Sequence, residues 1–112
     1  MFNKNKILII VAHPDDEILG CGGMMAKYAK ANEISILILG EGITSRYSVR
    51  QEAPKNELVK LKERAKKAAR FLGIKNVFFL DFPDQRLETA SFLDITKRIE
   101  GFIAKIKPQI IF

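Results

Sequence analysis

His13, Asp15, Asp16 and Glu17 stand together in "KILIIVAHPDDEILGCGG", residues 6–23, and His13 is the only histidine in the chain. They follow an apolar run, Ile7 to Val11, and apolar residues resume at Ile18. A neutral imidazole and a carboxylate are both zinc ligands, and hydrolytic zinc sites use three protein ligands plus a water. His13 and Asp16 are spaced i, i+3. A tight turn leading into a helix can direct both to one side, where they could grip one metal ion. Asp15 then points elsewhere and can accept a proton from a water on that ion. A helix starting near Ile18 presents its positive end to these carboxylates and favours their ionised forms. Pro14 stiffens the turn and holds His13 extended. The same spacing admits a simpler use, in which Asp15 or Asp16 caps the helix.

A second polar cluster, Asp81, Pro83, Asp84, Gln85 and Arg86, follows the apolar stretch Asn76–Leu80. Arg46 lies in a long polar connection, Glu41 to about Lys55. Long connections of this kind serve as lids or binding loops, or stay disordered. The planar guanidinium suits phosphate, which makes Arg46 and Arg86 candidate substrate-binding residues. Asp84 is a third candidate for substrate contact, and its alternative role is a turn residue after Pro83.

The elements that must position these residues alternate. Lys6–Ala12 reads as a buried strand rich in Ile and Val. Ile18–Ala31 reads as a helix with Ile18, Cys21, Gly22 and Met25 on one face. Gly20, Gly22 and Gly23 lower its helix propensity, and close packing of its backbone on the sheet is the expected compensation. Ile34–Leu39 is a second strand. Glu57–Leu72 is a helix with the stripe Leu58, Leu61, Ala65, Ala68 and Leu72, stopped at Gly73. Asn76–Leu80 is a third strand, with Asp81 as its terminator. Leu93–Ile106 is a third helix, and Pro108 follows it. "QIIF" begins a fourth strand. This order predicts an α/β fold, a Rossmann-like parallel sheet with helices on both faces. Open parallel sheets bind ligands beyond the carboxyl ends of their strands, where both polar clusters lie. The chain reaches Phe112 inside the fourth strand, so residues 1–112 are expected to be the N-terminal part of a single longer domain.

The composition narrows the class. The chain has 112 residues, 47% hydrophobic and 29% charged, ordinary values for one soluble domain. One cysteine excludes an internal disulfide, and Cys21 reads as a small packing residue. No apolar run is long enough for a membrane span, and carboxylates directly after Ala12 argue against a secretory signal. A cytoplasmic protein is expected. Net charge is +6, but the cations gather on one helix without interleaved aromatics, so a solvated face is preferred to a nucleic-acid surface.

"AHPDDE" after an Ile/Val strand, followed by "GCGG", resembles the signature of the PIG-L (LmbE-like) N-acetylglucosaminyl deacetylase family. "LGEGITSRY", "AARFLGI" and "FLDFPDQRL" resemble its bacterial branch. The resemblance implies a zinc-dependent hydrolase that removes acetyl from an N-acetylated amino-sugar conjugate. It implies zinc ligation by His13 and Asp16, and Asp15 as the general base. It also implies a third ligand, a histidine, beyond Phe112, so the isolated chain is expected to be inactive.

Two other readings compete. A receiver-like signalling domain would use Asp16 in its acidic site and Asp81 as phosphoacceptor. The inserted His13-Pro14, the long second connection and the lack of a later lysine-bearing strand weigh against it. A non-catalytic remnant of the deacetylase fold would share the ancestry without the activity. Its open sheet edge would favour self-association.

Overall fold

The computed structural model describes residues 3–42, 46–83 and 91–112. Four strands form one parallel sheet: β1 Lys6–Val11, β2 Glu33–Gly40, β3 Asn76–Phe82 and β4 Ile110–Ile111. Three helices connect them: α1 Asp16–Tyr28, α2 Lys55–Phe71 and α3 Phe92–Ile106. A 3-10 turn, Arg50–Glu52, precedes α2 within the long polar connection. The strand order is β3-β2-β1-β4. The chain therefore steps outward from β1 through β2 to β3, then returns to pair β4 on the other side of β1.

Right-handed crossovers turn that reversal into two layers. Both outward steps carry their helices on one face, and the return step puts α3 on the other. The alternation of β1 side chains matches. Ile7 and Ile9 join Met25 of α1, Ala65 and Ala69 of α2, and Ile34, Ile36 and Ile38 of β2. Leu8, with Ile10 beside it, meets Leu37, Leu80 and the α3 stripe of Ile99, Phe102, Ile103 and Ile106. The Phe78 and Phe102 rings meet at a centroid distance of 5.0 Å, which fastens α3 to β3. Ser91 caps α3 by accepting from the Asp94 amide, and Lys107 ends it in the left-handed conformation before Pro108.

The order of elements and the α/β class match expectation, and several details differ. Helix α1 begins at Asp16 rather than Ile18, so Asp16 and Glu17 lie in its first turn. Ile18 is partly exposed and Leu19 strongly so, while Met25 is fully buried. The α1 glycines do not serve close packing. A Cβ at Gly20 or Gly23 would meet nothing within 4 Å, and one at Gly22 would touch only Ile18 of the same helix. On α2 it is Ala69, not Ala68, that is buried with Ala65, four residues on along the same helix face.

Asp81 does not end β3. It lies within the strand at φ 57°, where the register with β2 shifts between Ile38 and Gly40. Its carboxylate pairs with Lys62 of α2 at 2.6 Å. The strand order also removes the receiver-like reading. That fold places β1 beside β3, in the order 2-1-3-4-5. Here β2 separates them.

Because open space surrounds a Cβ at Gly23, Gly23→Ala should stabilise the protein by about 0.5–1 kcal/mol through helix propensity. Urea unfolding measures it. A loss of stability would show that the helix backbone does need the glycine.

Candidate functional site

The site grows from the end of β1. This strand is central, paired with β2 on one side and β4 on the other, and the strand order reverses beside it. In open α/β sheets the ligand crevice opens at such a reversal, beyond the carboxyl ends. Val11 ends β1, and His13, Pro14 and Asp15 form a turn closed by the Asp16 amide donating to His13 O at 3.2 Å. Helix α1 starts immediately. Its first amides, those of Ile18 and Leu19, both donate to Asp15 O at 3.0 Å.

The three carboxylates divide their work. Asp15 occupies the N-cap position, but its side chain makes no cap hydrogen bond. It adopts φ 97°, a conformation that costs a non-glycine residue about 1–3 kcal/mol. The Asp15 amide donates to Glu17 Oε2 at 3.0 Å, and the His13 amide donates to Asp16 Oδ2 at 3.1 Å. Both amides lie upstream of the helical amides that a capping carboxylate would serve. Asp16 and Glu17 therefore brace the turn rather than cap the helix in the ordinary way. The Asp15 side chain is left exposed, with no polar partner among the described residues. Neither capping use therefore explains the group.

His13 and Asp16 face each other, Nδ1 to Oδ2, at 3.6 Å, each partly open to solvent. The other ring nitrogen, Nε2, is buried against Gly40. Two donors each bound to one tetrahedral zinc ion stand about 3.4 Å apart, given bonds of about 2.0–2.2 Å. The observed separation suits a shared ion, and Nδ1 is the ring nitrogen that faces Asp16. Among the described residues no third His, Cys, Asp or Glu joins them in a metal-binding group.

The remaining candidates stand apart. Arg46 is exposed and lines a cleft of about 280 Å³ with Glu57, Lys60, Leu61 and Arg64. Leu61 ties the cleft to the turn only indirectly, since a Cβ at Gly42 would meet both Leu61 and Pro14. Asp84 and Arg86 lie outside the described residues. The sequence pattern does not single out Glu17, which is 2% exposed and supports the strained Asp15. The signal was a charged residue inside the helix's buried stripe. Burial raises the Glu17 carboxyl above its ordinary 4.5, backbone amides of Glu17 and Asp15 oppose that, and the Asp15 and Asp16 charges add to it.

Residues 8–112 match the family described as PIG-L, GlcNAc-PI de-N-acetylase. Diacetylchitobiose deacetylase of Thermococcus kodakarensis is 32% identical over 108 residues, which are 95% of this chain and 39% of that protein. The crystal structure of N,N'-diacetylchitobiose deacetylase from Pyrococcus horikoshii superposes with a TM-score of 0.83 at 23% identity, covering 96% of this chain and 40% of that one. The 4-carboxy-2-hydroxymuconate hydratase of Pseudomonas putida also shares the fold, with a TM-score of 0.76 at 21% identity, over 96% of this chain and 45% of that one. The chain thus spans about two-fifths of the length of these two deacetylases.

The buried Glu17 makes stability depend on pH with a definite sign. Its native carboxyl holds its proton to higher pH than the unfolded one. Stability from the neutral form is fully present below about pH 4.5 and is lost as pH rises through the raised native value. Glu17→Gln keeps an oxygen for the Asp15 amide and never ionises. In metal-free protein the variant should gain on wild type between about pH 4 and about pH 8 in urea unfolding. An equal difference at both pH values would contradict the assignment.

Proposed function

Because the chain belongs to the PIG-L family, we propose that its site takes part in hydrolysing the acetamide of an N-acetylglucosamine-type sugar. Its relatives in that family are deacetylases. The observation that carries the reading is the exposed Asp15 carboxylate, held in a strained turn directly beside the His13–Asp16 pair. A side chain kept out of its ordinary cap at such a cost is explained by a task in solvent.

In this reading His13 and Asp16 are the residues that hold zinc, with a third donor from outside the described residues. Zinc bound there would supply Lewis acidity toward the acetamide carbonyl and acidify water. Asp15 accepts the proton of the attacking water as its oxygen bonds to the carbonyl carbon. The carbon–nitrogen bond then breaks, and Asp15 returns the proton to the leaving nitrogen. The products are acetate and the free amino sugar. Helix α1 aims its positive end at the turn, which favours acidic residues there. Arg46, Asp84 and Arg86 are assigned to the sugar's remaining groups.

The fold alone does not select the reaction, since a hydratase shares it. Acetate release from N,N'-diacetylchitobiose separates the two chemistries. With zinc present, and imidazole added as the outside nitrogen donor, acetate should appear and should vanish with a chelator. Asp15→Asn should lower the rate at least about 100-fold with unchanged circular dichroism. Release that survives Asp15→Asn, or none with imidazole and zinc, would contradict the proposal.

A further inference from the structure

Gly40 is the last residue of β2 and is buried. Its amide donates to Ala12 O at 2.7 Å, which ties the end of β2 to the end of β1. A Cβ placed on Gly40 would stand 2.8 Å from Ala12 O, 3.3 Å from His13 Cδ2 and 3.8 Å from His13 Nε2. The first distance is shorter than real Cβ contacts allow. The obstacle is a backbone carbonyl, which cannot swing aside as the tip of a side chain can. Gly40 lies outside the left-handed region, unlike Gly42 at φ 101° and Gly73 at φ 84°. Alanine is therefore acceptable to the backbone of residue 40, and what it lacks there is room.

We propose that Gly40 is a positioning residue for the metal-binding pair. Its missing side chain lets the end of β1 lie across the end of β2, and that seat fixes where His13 and Asp16 stand. The path is covalent and short. The Ala12 carbonyl carbon is bonded to the His13 nitrogen in one planar peptide, so moving the carbonyl moves His13. The His13 amide holds Asp16 Oδ2 at 3.1 Å, so the shift reaches the second donor as well. The imidazole also rests directly on Gly40, so the ring loses its floor position when a methyl group enters. The metal part of this assignment rests on the proposed function. The seating of His13 does not.

The single histidine makes the test direct, because a ¹³C-labelled chain gives one imidazole Cδ2–Hδ2 correlation. Wild-type protein should show a nuclear Overhauser contact between a Gly40 Hα and His13 Hδ2. Gly40→Ala should move the His13 correlation and raise the Zn²⁺ midpoint, followed on that signal, at least about tenfold. Gly73→Ala is the control for general destabilisation. It strains a left-handed glycine far from the turn, with Ala29 Cβ its nearest neighbour at 4.0 Å. It should leave the correlation and the midpoint as in wild type. If Gly40→Ala fails to fold, the same change in an Ala12→Gly background gives the carbonyl freedom to move, and the His13 signal should still shift. No Overhauser contact, a Gly40→Ala signal and midpoint equal to wild type, or equal effects from Gly73→Ala would each overturn the assignment. A wild-type His13 signal that ignores Zn²⁺ would reject the metal pair instead, and the contact and the shift would still decide the seating.

Discussion

The hydrogen bond from the Asp15 amide to Glu17 Oε2, at 3.0 Å, is the interaction on which the rest of the site depends. Asp15 sits at φ 97°, at a cost of about 1–3 kcal/mol. A hydrogen bond contributes about 0.5–1.5 kcal/mol between neutral groups and about 1.5–3 kcal/mol to a charged one, comparable in size to that strain. Without the bond, Asp15 could relax to the extended backbone of an ordinary N-cap, and its side chain could turn onto the helix amides. The carboxylate would then be spent on structure. Glu17 can hold the amide because it is buried where the helix meets the turn, and the same burial raises its carboxyl.

The turn is anchored from below as well. β1 is hydrogen-bonded along both edges, with Val11 opposite Ile38 of β2 and Leu8 opposite Ile111 of β4. Its side chains fill the core on both faces, Ile7 and Ile9 toward α1 and α2, Leu8 toward α3. A strand fixed on four sides makes a rigid base for a site that needs sub-ångström placement. The chain reversal beside it leaves the space above its carboxyl end open. Fold and site are thus linked through one strand.

Much of this was legible in the residues. The run from Lys6 to Ile18 announced a buried strand, a stiff turn and a helix start within two residues of the observed one, and the helix expected over Leu93–Ile106 is α3, Phe92–Ile106. Features that depend on partners distant in sequence were not legible. Nothing local to Asp81 tells that β3 continues through it, because the cause is a register shift against β2 and an ion pair with Lys62 on α2. The separation of β3 from β1 follows from the direction of successive crossovers, which no motif encodes. The glycines of α1 suggested a close approach that the helix does not make. The glycine that does permit one, Gly40, lies just past the strand expected at Ile34–Leu39, and only its partner on β1 reveals its use. Arg46 was chosen for its chemistry alone, and the fold puts it on a cleft beside α2 rather than on the turn.

The central claim is a division of labour between adjacent aspartates, with Asp16 holding metal and Asp15 handling the proton. Zinc affinity by calorimetry on Asp15→Asn and Asp16→Asn separates the roles, since asparagine keeps an oxygen for the His13 amide at position 16. The account expects Asp15→Asn to bind zinc within about twofold of wild type, and Asp16→Asn to bind at least about tenfold more weakly. Equal losses in the two variants, or the larger loss in Asp15→Asn, would contradict it.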